Sequence, residues 1–318
     1  MTTAPLSLPL ESKIYIAGHR GLVGGAIVRA LSSRGYSNLL LRSSRELDLR
    51  DQSAVNSFFD SERPEYVFLA AAKVGGILAN SSLPAQFIYD NLMIASNVIQ
   101  AAHQNGSTKL LNLGSSCIYP RLAPQPLHEE CLLSGPLEPT NRAYAVAKIA
   151  AIEMCDSYRA EYGSNFISAM PTNLYGPGDN FDLQSSHVLP ALLRKVIEAR
   201  QSQAPTVEIW GSGTPLREFL YVDDMAEACL FLMERFAEPG PINVGTGQDI
   251  SIRDLALLIR DVVGYEGKLS FDASKPDGTP RKLLDVSRLE QAGWRAQTGL
   301  REGIQKTYEW YLSQRAQA

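Results

Sequence analysis

Along the first half of the chain, apolar positions switch repeatedly between a strand period and a helix period. A short apolar run at 13–17 reads as a buried strand, and Ala26, Ile27, Ala30 and Leu31 follow at helical spacing. Further strands are expected at 38–42, 66–71, 110–114 and 166–170, with helices near 51–61, 84–104 and 141–162 between them. Strand–helix alternation of this kind argues for an α/β fold built on a doubly wound parallel sheet of Rossmann type. After Tyr175-Gly-Pro-Gly-Asp the elements shorten and Gly, Pro and charged residues multiply, so residues 12–175 are read as one domain and 176–318 mainly as a second, smaller one. A helix pattern at 223–236 followed by an apolar run at 242–245 is expected to return to the first domain, the returning piece spanning about 223–248.

The turn between the first strand and helix reads Gly18-His-Arg-Gly21-Leu-Val-Gly24. Strand, glycine turn and helix together form a dinucleotide-binding signal: Gly18 makes the turn, Gly21 lets the backbone approach a pyrophosphate, and Gly24 lets the helix pack on its strand. Free N–H groups at the helix start then face the phosphates, with Leu22 and Val23 in the same turn. An NAD site would carry an Asp or Glu near the end of the second strand. This chain has Leu41-Arg42-Ser43-Ser44-Arg45 there, which favours the 2′-phosphate of NADP, with Arg20 as a further cation; Arg42 and Arg45 are equally the kind of charge that decorates any surface. Asp48 lies where it can meet the adenine edge.

Tyr144 and Lys148 form the only Tyr-x-x-x-Lys in the chain. That spacing puts both on one helix face, where the ammonium is expected to lower a phenol pKa that is ordinarily ~10. The strand at 110–114 delivers Leu113, Gly114, Ser115, Ser116 and Cys117 to the carboxyl edge of the sheet, where ligands of such folds bind. Ser115 is suited to holding a carbonyl oxygen, and Cys117 points to the same side if the backbone stays extended. Pro171, Asn173 and Leu174 reach the same rim after the next strand. Taken alone, Cys117 also reads as a small buried hydrophobe, His187 as an ordinary residue at a helix start, and Trp210 as a core anchor.

The composition is that of a globular protein, with 45% hydrophobic and 20% charged residues. A net charge of −4 leaves no footprint for nucleic acid or an anionic membrane, and no stretch approaches the ~20 apolar residues of a membrane span. Residues 1–12 lack a basic secretory n-region and are expected to be a frayed leader. Cysteines 117, 131, 155 and 229 show neither metal spacing nor disulfide density, which points to a reducing, cytoplasmic setting without a metal.

These motifs resemble the extended short-chain dehydrogenase/reductases. The finer segments Ala70-Ala-Ala-Lys-Val-Gly-Gly-Ile77, Leu113-Gly-Ser-Ser-Cys-Ile-Tyr-Pro120, Pro171-Thr-Asn-Leu-Tyr-Gly-Pro177 and Lys275-Pro-Asp-Gly-Thr-Pro-Arg-Lys282 are similar to those of the GDP-L-fucose synthases, bifunctional epimerase/reductases that act on GDP-4-keto-6-deoxy-mannose. The resemblance implies NADP(H) as cofactor and a homodimer formed through the helices near 84–104 and 141–162. It implies Ser115, Tyr144 and Lys148 as the catalytic triad, Cys117 as epimerisation base and His187 as its partner acid beside the nicotinamide. It further implies Lys195, Trp210, Arg217 and Asp277 at the nucleotide-sugar, with Lys282 near its diphosphate. Two rival readings share the glycine loop: another extended-family sugar-nucleotide epimerase or dehydratase, and a non-catalytic NADP-binding sensor. The first has no use for the Cys117–His187 pair, and the second none for Ser115, Tyr144 and Lys148 together.

Overall fold

The computed structural model describes residues 8–183, 185–275 and 277–316. Its centre is a parallel six-stranded sheet ordered β2-β1-β3-β4-β5-β9, made from β1 (Ile14–Ala17), β2 (Leu39–Leu40), β3 (Tyr66–Leu69), β4 (Lys109–Leu113), β5 (Phe166–Pro171) and β9 (Pro241–Val244). β1, β3, β4 and β5 are buried at every position, as strands covered on both faces must be. One face carries α1 (Leu22–Ser33) and α7 (Val222–Arg235), with Ile27 and Leu31 of the first packed in one core with Met225, Leu232 and Met233 of the second. The other carries α2 (Gln52–Glu62), α4 (Pro84–Gln104) and α5 (Arg142–Tyr162), whose Phe58, Phe59, Val98 and Cys155 pack beneath Tyr15 and Val67. The helix and strand at 222–244 thus lie in this central layer: β9 pairs with β5, and α7 packs on α1. A buried lysine ties the end of α7 to the sheet. Lys109 Nζ donates to the carbonyls of Leu232, Met233 and Phe236, satisfying groups that the end of α7 leaves open.

Two smaller sheets lie beyond. β8 (Leu216–Tyr221) pairs over its second half with β6 (Asn173–Tyr175), and over its first half with β10 (Asp249–Ser251) and β12 (Arg281–Lys282). β7 (Thr206–Trp210) pairs in parallel with β11 (Lys268–Asp272). α6 (Val188–Gln201), α8 (Ile252–Val263) and α10 (Leu300–Ala316) close a second core over Leu193, Val196, Ile209, Phe219, Leu255 and Ile304. Glu218 ties the two regions together. It is fully buried and accepts hydrogen bonds from the backbone N–H groups of Thr246, Gly247 and Leu284.

Residues 1–7 of the expected leader lie outside the described residues, but 8–12 are not frayed. Leu8 is buried in the core, Tyr36 Oη donates to its carbonyl at 2.8 Å, and Ser12 is also buried. An apolar side chain with a place in the core outweighs the entropy that usually loosens a terminal segment. The described cysteines are all free thiols, and no helix among the described residues is long and apolar enough to cross a membrane.

Candidate active site

The carboxyl ends of β1, β3, β4 and β5 open into a cleft of about 2080 Å³ that continues between the two cores. Every residue singled out above for cofactor, catalysis or substrate lines it. At one end Gly18 has a φ of +84° and lies so close to Ala71 that a Cβ would come within 2.7 Å of its amide nitrogen. A Cβ on Gly24 would sit 2.1 Å from the carbonyl oxygen of Gly18, so α1 can meet the turn only through glycine. Gly21 faces the open cleft, with no backbone closer than 3.4 Å to such an atom. The short α3 (Ile77–Ser82) and the loop before it form the facing wall.

The charges at the end of β2 divide unequally. Arg42 is held by Glu62 at 2.8 Å and by its neighbour's carbonyl, whereas no ion pair engages Arg20 or Arg45 among the described residues. Both carboxylate oxygens of Asp48 accept from Arg50, and that contact holds Asp48 at about 2. Asp48 therefore meets the cleft as one half of an ion pair.

After β4 the backbone turns instead of staying extended. Ser115 is extended, but 116–118 form a single 3₁₀ turn, and Ser115 Oγ accepts from the Cys117 amide at 3.4 Å. A serine before a turn takes up this capping role readily, which explains the departure from the straight path expected. Ser115 still lies near both reactive groups, where it opposes the upward push of burial on the Tyr144 phenol and on the Cys117 thiol. Tyr144 is held edge-on by Phe87, with ring centroids 6.3 Å apart.

The expected lowering of the Tyr144 phenol does not occur. Lys148 is buried and spends a proton on the carbonyl of Leu113 at 2.7 Å, its Nζ lying 5.8 Å from the Tyr144 ring centre. Burial pushes the phenol well above its ordinary range, with Cys117 adding to the rise and Ser115 opposing it, and pushes Lys148 down to about 8. Tyr144 is thus held as a proton donor. Burial also pushes the Cys117 thiol up, against the opposing charges of Lys282 and Lys148. His187 stands at the start of α6 with its ring accessible from the cleft; burial and the Lys282 charge push it down.

At the far end Lys195 donates to the carbonyl of Glu208 and lies 5.6 Å over the ring of Trp210, which is 65% exposed and so is no core anchor. Lys275 lies at the same distance from that ring and escaped the sequence reading, although it opens a motif already singled out. Asp277 accepts from the backbone and hydroxyl of Ser212, closing the loop in which Gly211 adopts a φ of +86°. Pro276 of the same motif lies outside the described residues. Arg217 is half-buried on β8, with Nη1 donating to the Leu216 carbonyl. Lys282 pairs beside it on β12 and feels Cys117, Arg217 and Glu218 together, so it links the Cys117 part of the cleft with the basic part around Arg217.

The model of the NAD dependent epimerase/dehydratase family matches residues 14–245. The chain belongs to that family. Within it, the chain is 58% identical to the GDP-L-fucose synthase of Escherichia coli (strain K12), over 95% of this chain and 97% of that protein. It is 57% identical to GDP-L-fucose synthase 1 of Arabidopsis thaliana, over 95% and 94%. Among solved structures, a GDP-L-fucose synthetase from Naegleria fowleri bound to NADP superposes with a TM-score of 0.92 at 32% identity, covering 99% of this chain and 96% of that one.

Proposed function

We propose that this family member converts GDP-4-keto-6-deoxy-mannose to GDP-L-fucose, by epimerisation at C3 and C5 followed by NADPH-dependent reduction at C4. The observation that carries this reading is the grouping of Ser115, Cys117, Tyr144, Lys148 and His187 at the middle of one cleft, between a glycine turn and a basic, aromatic-walled end. The names of its 53–58% identical relatives support it.

The residues present suit a bound NADP(H). The turn at Gly18 and Gly24 has room that a side chain would fill, and Arg20 and Arg45 are uncommitted cations for a 2′-phosphate. Leu113, Gly114, Ser116, Pro171, Asn173 and Leu174 line the route towards Tyr144. When bound, the reduced nicotinamide supplies the hydride for C4. The protein's part is to hold the ketone oxygen on Ser115 and to give it the Tyr144 proton, while Lys148 anchors the helix face beneath. The same ketone acidifies the C3 and C5 hydrogens, which Cys117 removes as a base and His187 returns as an acid on the opposite ring face. Trp210 offers a face to the base, and Arg217, Lys195 and Lys282 neutralise the diphosphate, with Arg217 forming the bidentate contact. Residues 12–175 with 223–248 serve the cofactor, and the remainder of 176–318 the sugar nucleotide. A homodimer through α4 and α5 accords with the exposed Tyr89 and Val146 on those helices. The thiols suit a cytoplasmic enzyme.

Cys117→Ala and Tyr144→Phe test the division of labour. In deuterated water with the 4-keto substrate, Tyr144→Phe is expected to lose reduction by about 10²-fold or more yet still exchange deuterium into the sugar. Cys117→Ala is expected to lose exchange while binding NADPH normally. A Cys117→Ala enzyme that epimerises at an unchanged rate would remove the thiol from the mechanism.

A further inference from the structure

Among the buried polar atoms without a partner in the described residues, three oxygens belong to side chains lining the middle of the cleft: Oδ1 of Asn80, Oδ1 of Asn141 and Oγ of Ser186. They come from three separate segments that meet there. α3, which carries Asn80, packs against the turn at Pro139–Asn141, and a Cβ on Gly76 would lie 3.8 Å from the carbonyl oxygen of Ser186. Asn80 is the fixed member. It is only 7% exposed, and its Nδ2 donates to the carbonyls of Gly75 at 2.7 Å and Gly76 at 3.1 Å. A flipped amide would press its oxygen on those two carbonyls, so the orientation follows from the chemistry: Oδ1 is the free atom, and it can only accept. A buried acceptor with no donor carries a desolvation cost that is removed when a ligand supplies an O–H.

We infer that Asn80, with Ser186 and Asn141 beside it, reads a ring hydroxyl of the hexose and sets the sugar against Cys117 and His187. This rests on the proposed sugar-nucleotide reading and adds its specificity determinant. Ser186 immediately precedes His187, and the Gly75–Gly76 backbone that anchors Asn80 touches the Ser186 segment, so a hydroxyl held there fixes the ring relative to the acid.

The test compares a GDP-linked 4-keto-6-deoxy-hexose with its 2-deoxy and 3-deoxy analogues on wild-type protein, Asn80→Ala and Ser186→Ala. Dissociation constants come from calorimetry, and kcat/KM from NADPH oxidation. The wild type is expected to bind one of the deoxy analogues about tenfold more weakly than the parent, or worse. In Asn80→Ala that gap should close to within about twofold, with NADPH affinity unchanged. Ser186→Ala, which leaves the loop anchors alone, should narrow the same gap and not the other. A wild type that treats both analogues like the parent, or an Asn80→Ala protein that weakens parent and analogues equally, overturns the inference. Discrimination in binding without any turnover would instead break the proposed reaction and leave the hydroxyl site standing.

Discussion

Cys117 and His187 both sit where burial favours the neutral form, the thiol pushed up and the imidazole pushed down. A base that must first ionise makes proton abstraction, and with it isotope exchange, rise with pH, whereas delivery of a proton by His187 falls over the same range, so net inversion does not climb with exchange. With its pKa above the ordinary thiol value, Cys117 is mostly protonated at pH 7, and the thiolate fraction grows about tenfold per pH unit until it saturates. Deuterium exchange at C3 and C5 should therefore climb between pH 7 and pH 9, while reduction, served by a phenol that stays protonated, should not climb with it. A flat exchange profile over that range would mean that Cys117 does not act as a free thiolate. Lys282 and Lys148 are the cations that oppose the rise, and the sequence could not pair Lys282 with Cys117 because 165 residues separate them along the chain. Tyr144 and Ser115 were legible as residues, since spacing and strand position mark them. Their protonation was not, because burial is set by neighbours such as Phe87 that no local motif contains.

At the scale of elements, the strands and helices of the central sheet follow the hydrophobic pattern closely, because a strand covered on both faces must be apolar throughout. The turn at 116–118 departs from expectation for a local reason, the capping of its amide by Ser115. The loop after β6 carries a cost that periodicity cannot reveal. Asp179 is half-buried, with Oδ2 shut off from solvent and unpartnered among the described residues, and desolvation pushes its carboxyl up to about 7. Its folded pKa lies above the unfolded value, so the folded chain holds a proton that the unfolded chain releases between about pH 4 and pH 7. The contribution to stability is present below that window and is lost as pH rises through it. Asp179→Asn, which imitates the neutral acid, should raise stability at pH 8 by about 2–4 kcal/mol and give little at pH 4. Denaturant melts at the two pH values measure this; an equal effect at both would show that the carboxyl does not titrate on unfolding.

On the scale of the whole molecule, the return of α7 and β9 to the central sheet was foreshadowed by a helix and an apolar run. What holds them was not, since the strand expected at 110–114 leaves out Lys109, which is buried against the end of α7. The same holds for Glu218, whose three backbone partners come from two distant loops. These contacts carry β8, and with it Arg217, to the cleft opposite the glycine turn. One cleft therefore gathers a proton donor, a thiol and an imidazole, and the proposal is that both epimerisation and reduction of a single ketone occur there. The most direct test is to incubate the protein with GDP-4-keto-6-deoxy-mannose and NADPH in deuterated water, follow NADPH oxidation, and locate deuterium in the product by NMR. One NADPH should be oxidised per sugar released, with deuterium at both C3 and C5. Turnover without net NADPH oxidation, or a reduced product carrying no deuterium at those carbons, would contradict it.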